Sequence, residues 1–386
     1  MRIITSIIKS LILSVGLFSL ITAQAVDYYV STTGNDSNAG SLSQPFKTIT
    51  YAYSRASAGT IIHVLPGTYY DYQIGWGIHL GKSGTASSPI ILKSEQNGKA
   101  IIDGKNASDR NQGFYIDGDY NVVDGFEITG GPHGGISIWS NGNKIINNNI
   151  HHNGTPASTS TLGQDGIYSS ETTSDNYYAN NFIHDNGRIG SNFDHGLYLC
   201  GNNETIINNI LFRNAAYGLH IAGYDTVNSM RIYNNVISYN GKSGIILWMA
   251  VSGVDIKNNI IYNNAKYGID SFDAHGSGVV VDKNIVFGNP LGNYNFTRDG
   301  SDYSYTLGIT ISSDPRFVDN SSATFNPHLS STSPAIKSGL NLSSIFTTDF
   351  DGIGRPSGIL PWDIGVYNYG SGISTSPLPP TNIRLL

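Results

Sequence analysis

Asparagine returns in register along the middle of this chain. Asn148/Asn153, Asn181/Asn186, Asn209/Asn214, Asn235/Asn240, Asn259/Asn264 and Asn284/Asn289 each bracket a short apolar segment. A second apolar segment, opened by glycine, repeats in the same phase: Gly135-Ile-Ser-Ile, Gly166-Ile-Tyr-Ser, Gly196-Leu-Tyr-Leu, Gly218-Leu-His-Ile, Gly244-Ile-Ile-Leu and Gly268-Ile-Asp-Ser. A repeat of roughly two to three dozen residues describes one supersecondary unit, which buries its apolar face by stacking on its neighbours as a solenoid coil.

Stacked parallel strands set equivalent residues ~4.8 Å apart. Equivalent asparagines then touch, and an amide, with donors and acceptors, hydrogen-bonds up and down such a column. Asparagine also tolerates left-handed backbone, so the columns are expected to mark corners. After each glycine the first and third side chains point inward and the second to solvent. The 45 glycines, 24 tyrosines and 13% charged residues fit a turn-rich all-β chain and not a helical one. The expected fold is a single-stranded parallel β-helix with an N-terminal cap containing a short helix from about Phe46 to Ala58.

Residues 1–25 carry Arg2 and Lys9, an apolar run from Leu11 to Ile21, and Ala23-Gln24-Ala25, the pattern of a cleavable secretory signal. The mature chain is expected to start at Val26 as a secreted, monomeric protein. Residues 26–70 read as cap and first strand, 71–345 as coils with insertions at Thr155–Gly163 and Gly187–Phe193, 346–370 as a closing segment, and 371–386 as a Ser/Pro-rich tail. A lone cysteine, Cys200, excludes an intrachain disulfide and is expected on or near the lateral surface. A net charge of -6 argues against a nucleic-acid partner, and no later stretch approaches the ~20 apolar residues of a membrane span.

Tyr28–Ser41 (Tyr-Tyr-Val-Ser-x-x-Gly-Asn-Asp-Ser-Asn-x-Gly-Ser), Gln44-Pro-Phe-Lys-Thr-Ile, Leu65-Pro-Gly-Thr-Tyr, the asparagine ladder and the closing Asp363-Ile-Gly-Val-Tyr carry a resemblance. From about Asp27 to Tyr369 the chain resembles the secreted right-handed parallel β-helix proteins of the pectate-lyase-like superfamily. The resemblance implies the architecture and an extracellular polysaccharide as partner. It leaves the reaction open, because one solenoid supports lyases, hydrolases, epimerases and noncatalytic adhesins.

Alignment on the glycines places Tyr168, Tyr198, His220 and Asp270 in one outward column, with Asp165 and His195 one residue before the glycine and Asp194 and Lys242 two before it. Trp139 and Trp248, four residues after it, flank the face. Such a face suits an extended polysaccharide, with rings stacking on sugars. On a uronate chain the expected reaction is β-elimination, with Tyr198 and His220 sharing the acid and base roles. His195 is expected to polarise Tyr198 or replace it, Lys242 or Arg213 to neutralise the carboxylate, and Asp165 and Asp194 to join the catalytic set. Tyr168, Trp139, Trp248 and Asp270 are expected to bind substrate.

Each assignment has a structural alternative. Tyrosine columns stack on any wet β face, Asp before Gly is common turn chemistry, and His151, His152 and His184 lie beside the ladder as corner residues. Asp165 and Asp194 also leave inverting hydrolysis open, which needs two carboxyls ~6.5 to 9.5 Å apart. That reading is faintly similar to polygalacturonases, whose Asp-Asp pair and Arg-x-Lys motif are missing here. The Asp-Pro-His-Asp motif associated with mannuronan epimerases is absent as well. No cofactor is expected. Asp270 and Asp273 would supply only part of the six to eight oxygens that calcium prefers.

Overall fold

The computed structural model describes residues 26–70, 76–105, 107, 111–154, 163–297 and 301–370. The expected signal segment, most of the Thr155–Gly163 insertion and the Ser/Pro-rich tail lie outside the described residues.

Each coil lays down three short strands, and each strand pairs in parallel with its equivalent one coil away. One coil is Leu197–Leu199, Thr205–Ile207 and Ile210–Phe212, after which the chain returns to Leu219. Repetition builds one sheet of eleven strands and two of nine among the described residues. The first coil is covered by a helix, Ile49–Arg55, capped by Thr48, whose side chain accepts from the Tyr51 backbone N–H at 3.2 Å. Its buried face, Ile49, Ala52 and Tyr53, closes the open end of the core. The expected helix was longer at both ends.

The glycine-led strands share one sheet in the register read from the sequence. Ile167, Leu197, Leu219, Ile245 and Ile269 stand in one inward column, and Tyr168, Tyr198, His220, Ile246 and Asp270 in the outward one. The inward side chains are fully buried.

The corners depend on the asparagines. Asn235 is typical: its Oδ1 accepts from the Asn209 backbone N–H at 2.8 Å and from Asn209 Nδ2 at 3.1 Å, while its Nδ2 donates to the Ile206 and Tyr233 carbonyls and to Asn259 Oδ1. The left-handed residue at the corner is the one before the ladder asparagine, as at Asn208 (φ 53°) and Asn234 (φ 52°). The sequence reading merged two positions, a buried amide that bonds and a half-turned neighbour that bends. The glycine column follows from the ladder, because a Cβ at Gly196 would lie 2.6 Å from the Gly218 carbonyl oxygen and 2.7 Å from Asn214 Nδ2.

A shorter ladder, Asn121, Asn143 and Asn176, ends on Glu204. Glu204 is fully buried and accepts hydrogen bonds from Asn176, Ser169, Thr173 and Tyr178. Burial raises its carboxyl to about 7 against these donors. The unfolded carboxyl ionises near 4.5, so the native state holds the extra proton between those values. Stability from this group is complete below pH 4.5 and is lost as pH rises to 7, by about 3 kcal/mol at ~1.4 kcal/mol per pH unit. Glu204→Gln is expected to abolish this slope and to exceed wild type in stability above pH 7, as read from urea midpoints across the range.

The chain after the last coil folds back over the outer face of the asparagine-flanked sheet. Phe325 stacks on Phe212 at 4.6 Å, Asn234 Nδ2 donates to the Asp363 and Gly365 carbonyls, and buried Arg355 donates to Asn208 Oδ1 and to the Gly365 and Val366 carbonyls. That face is closed, whereas aromatic side chains stand exposed on the glycine-led one.

Candidate active site

The outward column of the glycine-led sheet brings the expected centre together. The Tyr198 and His220 rings, on adjacent coils, stack with centroids 4.6 Å apart and planes 21° apart. Tyr168 lies 5.6 Å from Tyr198, Trp139 lies 5.6 Å from Tyr168, and Trp248 lies 5.5 Å from His220. Trp139 is exposed and Trp248 half-buried, so the two tryptophans flank the pair as anticipated.

His195 sits behind this row. Its Nε2 lies 3.0 Å from His220 Nδ1, and its Nδ1 accepts from the Tyr217 backbone N–H at 3.3 Å. Those contacts assign the protons. With Nδ1 accepting, His195 carries its hydrogen on Nε2 and donates it to His220 Nδ1, so His220 must carry its hydrogen on Nε2. That atom is buried and has no hydrogen-bond partner among the described residues. Burial, then the Lys242 charge, lowers His195 to about 3, and burial with the His195 neighbour holds His220 well below the ordinary imidazole range. Both rings are therefore neutral at neutral pH, and His220 presents an N–H donor. This corrects two expectations. His195 acts on His220 and not on Tyr198, and His220 in its resting tautomer has no lone pair to serve as base.

Tyr198 is half-buried, and burial raises its hydroxyl far above the ordinary phenol range, so it stays protonated. The Tyr198 hydroxyl pairs at 2.7 Å with that of Tyr224, a half-exposed residue that the glycine alignment missed. Tyr224 lies beyond the regular strand length, where the pairing of Leu219–Asn228 with Ile245–Ser252 shifts register between Gly223 and Val227. The strand crosses Ala250 so closely here that a Cβ on Gly223 would lie 1.7 Å from the Ala250 carbonyl oxygen. The Gly223 that permits this approach was the available signal. Lys242 is half-buried, with Nζ 5.5 Å from the Tyr217 ring centroid beside His195.

Four expected residues belong to the framework. Asp194 is fully buried and bound by Arg188, whose Nε and backbone N–H each donate at 2.8 Å and Nη2 at 2.9 Å, and by the Gln164 backbone N–H. Burial pushes its carboxyl up, but the Arg188 bonds outweigh burial and hold it low. Asp165 is buried and accepts from the His195 backbone N–H at 2.7 Å. Burial, with Asp194 nearby, raises it well above the usual carboxylate range. Both are corner residues, as the turn reading of Asp-Gly had it. Arg213 is on the covered face, donating to Asp185 and to the Ser322 carbonyl, each at 2.8 Å. Asp270 holds its place in the column, but it is fully buried and bonded by Ser243 and Asn295. Cys200 is likewise buried, not lateral, and burial raises its thiol. Among the described residues, no three His, Cys, Asp or Glu side chains are placed to hold a metal ion.

Family models match the chain over residues 28–194, as a Pel9A-like right-handed β-helix region, and over 227–322, as a right-handed β-helix region. The solved structure of pectate lyase Pel9A superposes with a TM-score of 0.58 at 19% identity, covering 89% of this chain and 96% of that one. The chain folds as a right-handed parallel β-helix. This β-helix protein is 31% identical over 157 residues to pectate lyase L of Dickeya chrysanthemi, a match spanning 39% of the chain and 36% of that enzyme. It is 40% identical over 81 residues to pectate lyase PEL9 of Emericella nidulans, spanning 21% and 19%. It thus spans about a third or less of the length of these relatives. No helix among the described residues is long and apolar enough to cross a membrane.

Proposed function

We propose that the glycine-led wall cleaves a uronate-containing polysaccharide by β-elimination, outside the cell that exports it. The observation that carries the reading is the Tyr198–Tyr224 hydroxyl pair on the open wall, backed by the neutral His195–His220 pair with Lys242 beside it. The pectate lyase relatives support it.

Elimination needs a proton taken from the carbon next to the carboxylate, stabilisation of the enolate-like charge, and a proton delivered to the leaving oxygen. Lys242 supplies the cation for the carboxylate, and buried His220, held by His195, fixes the Tyr198 ring by stacking on it. The Tyr198–Tyr224 pair moves the proton. With one proton fewer on the pair, the Tyr224 phenolate oxygen takes the proton from carbon, the Tyr198 hydroxyl gives its proton to the leaving oxygen as the carbon–oxygen bond breaks, and the proton on Tyr224 then passes to Tyr198 across their hydrogen bond. Both phenols end as they began, and the sugar gains a double bond. Inverting hydrolysis finds less support, because Asp165 and Asp194 are occupied by backbone and Arg188 bonds.

Incubation with pectate, alginate and glycosaminoglycans is expected to raise the ultraviolet absorbance of unsaturated uronate products on at least one of them. New reducing ends without absorbance would mean hydrolysis, and binding without products would mean a noncatalytic glycan-binding protein. Because both imidazoles stay neutral down to about pH 3 at His195, kcat/KM is expected to show no imidazole titration on going from neutral pH to pH 5. An inflection near pH 6.5 would mark an ordinary histidine base.

A further inference from the structure

The row of rings does not stop at the reaction centre. From Tyr168 it runs toward the N-terminal end through Trp139, then Tyr115 at 6.4 Å, then Trp76 at 4.6 Å. Trp76 and Trp139 are 52% and 46% exposed, far more than a packing role needs. Four coil steps separate the Trp76 coil from that of Tyr198, so the row extends about 19 Å along the solenoid axis. That is room for several pyranose units, whose C–H faces lie on aromatic rings.

Charge is distributed unevenly along this wall. At the reaction centre Lys242 is the nearby cation, adding to burial in lowering His195. Along the aromatic row the nearby charges are carboxylates. Asp117, 2.7 Å from His79, raises the Tyr115 hydroxyl after burial does, and exposed Glu171 adds, after burial and Cys200, to raising that of Tyr168. A free uronate on those rings would meet like charge, whereas an uncharged sugar would not.

We propose that Trp76, Tyr115, Trp139 and Tyr168 form a subsite for uncharged sugar units, neutral or carboxyl-esterified, of the same chain whose free uronate reacts at the Tyr198–Tyr224 pair. This deepens the elimination reading and rests on it. The preferred substrate is then a partly esterified or mixed polysaccharide, not a uniform polyanion.

The test is calorimetric binding of the full-length protein to three polymers of matched length: partly methyl-esterified polygalacturonan, the same polymer saponified, and an alternating polymer of neutral and acidic sugars. The esterified or the alternating polymer is expected to bind roughly tenfold more tightly than the saponified one, and whichever does identifies the uncharged unit. Trp139→Ala is expected to lose about tenfold on the preferred polymer and little on the saponified one. Glu171→Lys is expected to strengthen binding of the saponified polymer. Equal or tighter wild-type binding of the saponified polymer, or an unchanged Trp139→Ala, would overturn the subsite. The ultraviolet assay on the same polymers separates the two readings. Absence of unsaturated product with the binding pattern intact would sink elimination alone, whereas product with Trp139→Ala indistinguishable from wild type would sink the subsite alone.

Discussion

Tyr198→Phe is expected to lower kcat/KM on a uronate polymer by roughly 10²- to 10⁴-fold, the usual range for a positioned proton donor, with the melting transition nearly unchanged. The phenyl ring keeps its stack on His220 and its contact with Tyr168, so packing survives. The hydroxyl lost is bonded to a half-exposed partner, Tyr224, and its removal costs at most about 1 kcal/mol. Tyr224→Phe breaks the same relay and is expected to fall in the same range. Normal turnover in both variants would remove the phenol pair from the mechanism. His220→Ala is a less clean probe than its outward position suggested, because the ring is buried between Tyr198, His195, Tyr217 and Trp248 and its loss also leaves a cavity.

The largest effect on stability is expected from a ladder residue. Asn235→Ala removes the acceptor for the Asn209 backbone N–H and the donor to the Ile206 and Tyr233 carbonyls, all in buried surroundings. At ~1–3 kcal/mol for each buried group left unpaired, the loss is about 3–5 kcal/mol, measurable as a lower urea midpoint. A substitution costing less than ~1 kcal/mol would mean that water replaces the amide and that the ladder is not what holds the corners.

The solenoid was legible because its cause is local and repeated. Each asparagine pair and each glycine-led strand is written into every coil, and the glycine spacing alone fixed which of Ile167, Tyr168 and Ser169 point inward. The centre was legible to the same extent, since Tyr198 and His220 stand side by side as the alignment required. What lay beyond it was contact that repetition does not encode. Nothing in the spacing says that Arg188 returns to bind Asp194, or that Ser243 and Asn295 enclose Asp270. Nor does it say that the C-terminal chain closes the face carrying Arg213. The direction of the His195–His220 bond depends on a single backbone N–H from Tyr217. Tyr224 entered through a break in register, which a periodic alignment steps over.

The most direct measurement is a crystal structure of the Tyr198→Phe protein with a uronate oligosaccharide bound. A sugar ring is predicted within hydrogen-bond reach of the Tyr224 hydroxyl, with the chain lying along the wall toward Trp139. An oligosaccharide seated on another face, or one on this wall out of reach of the Tyr224 hydroxyl, would contradict the assignment.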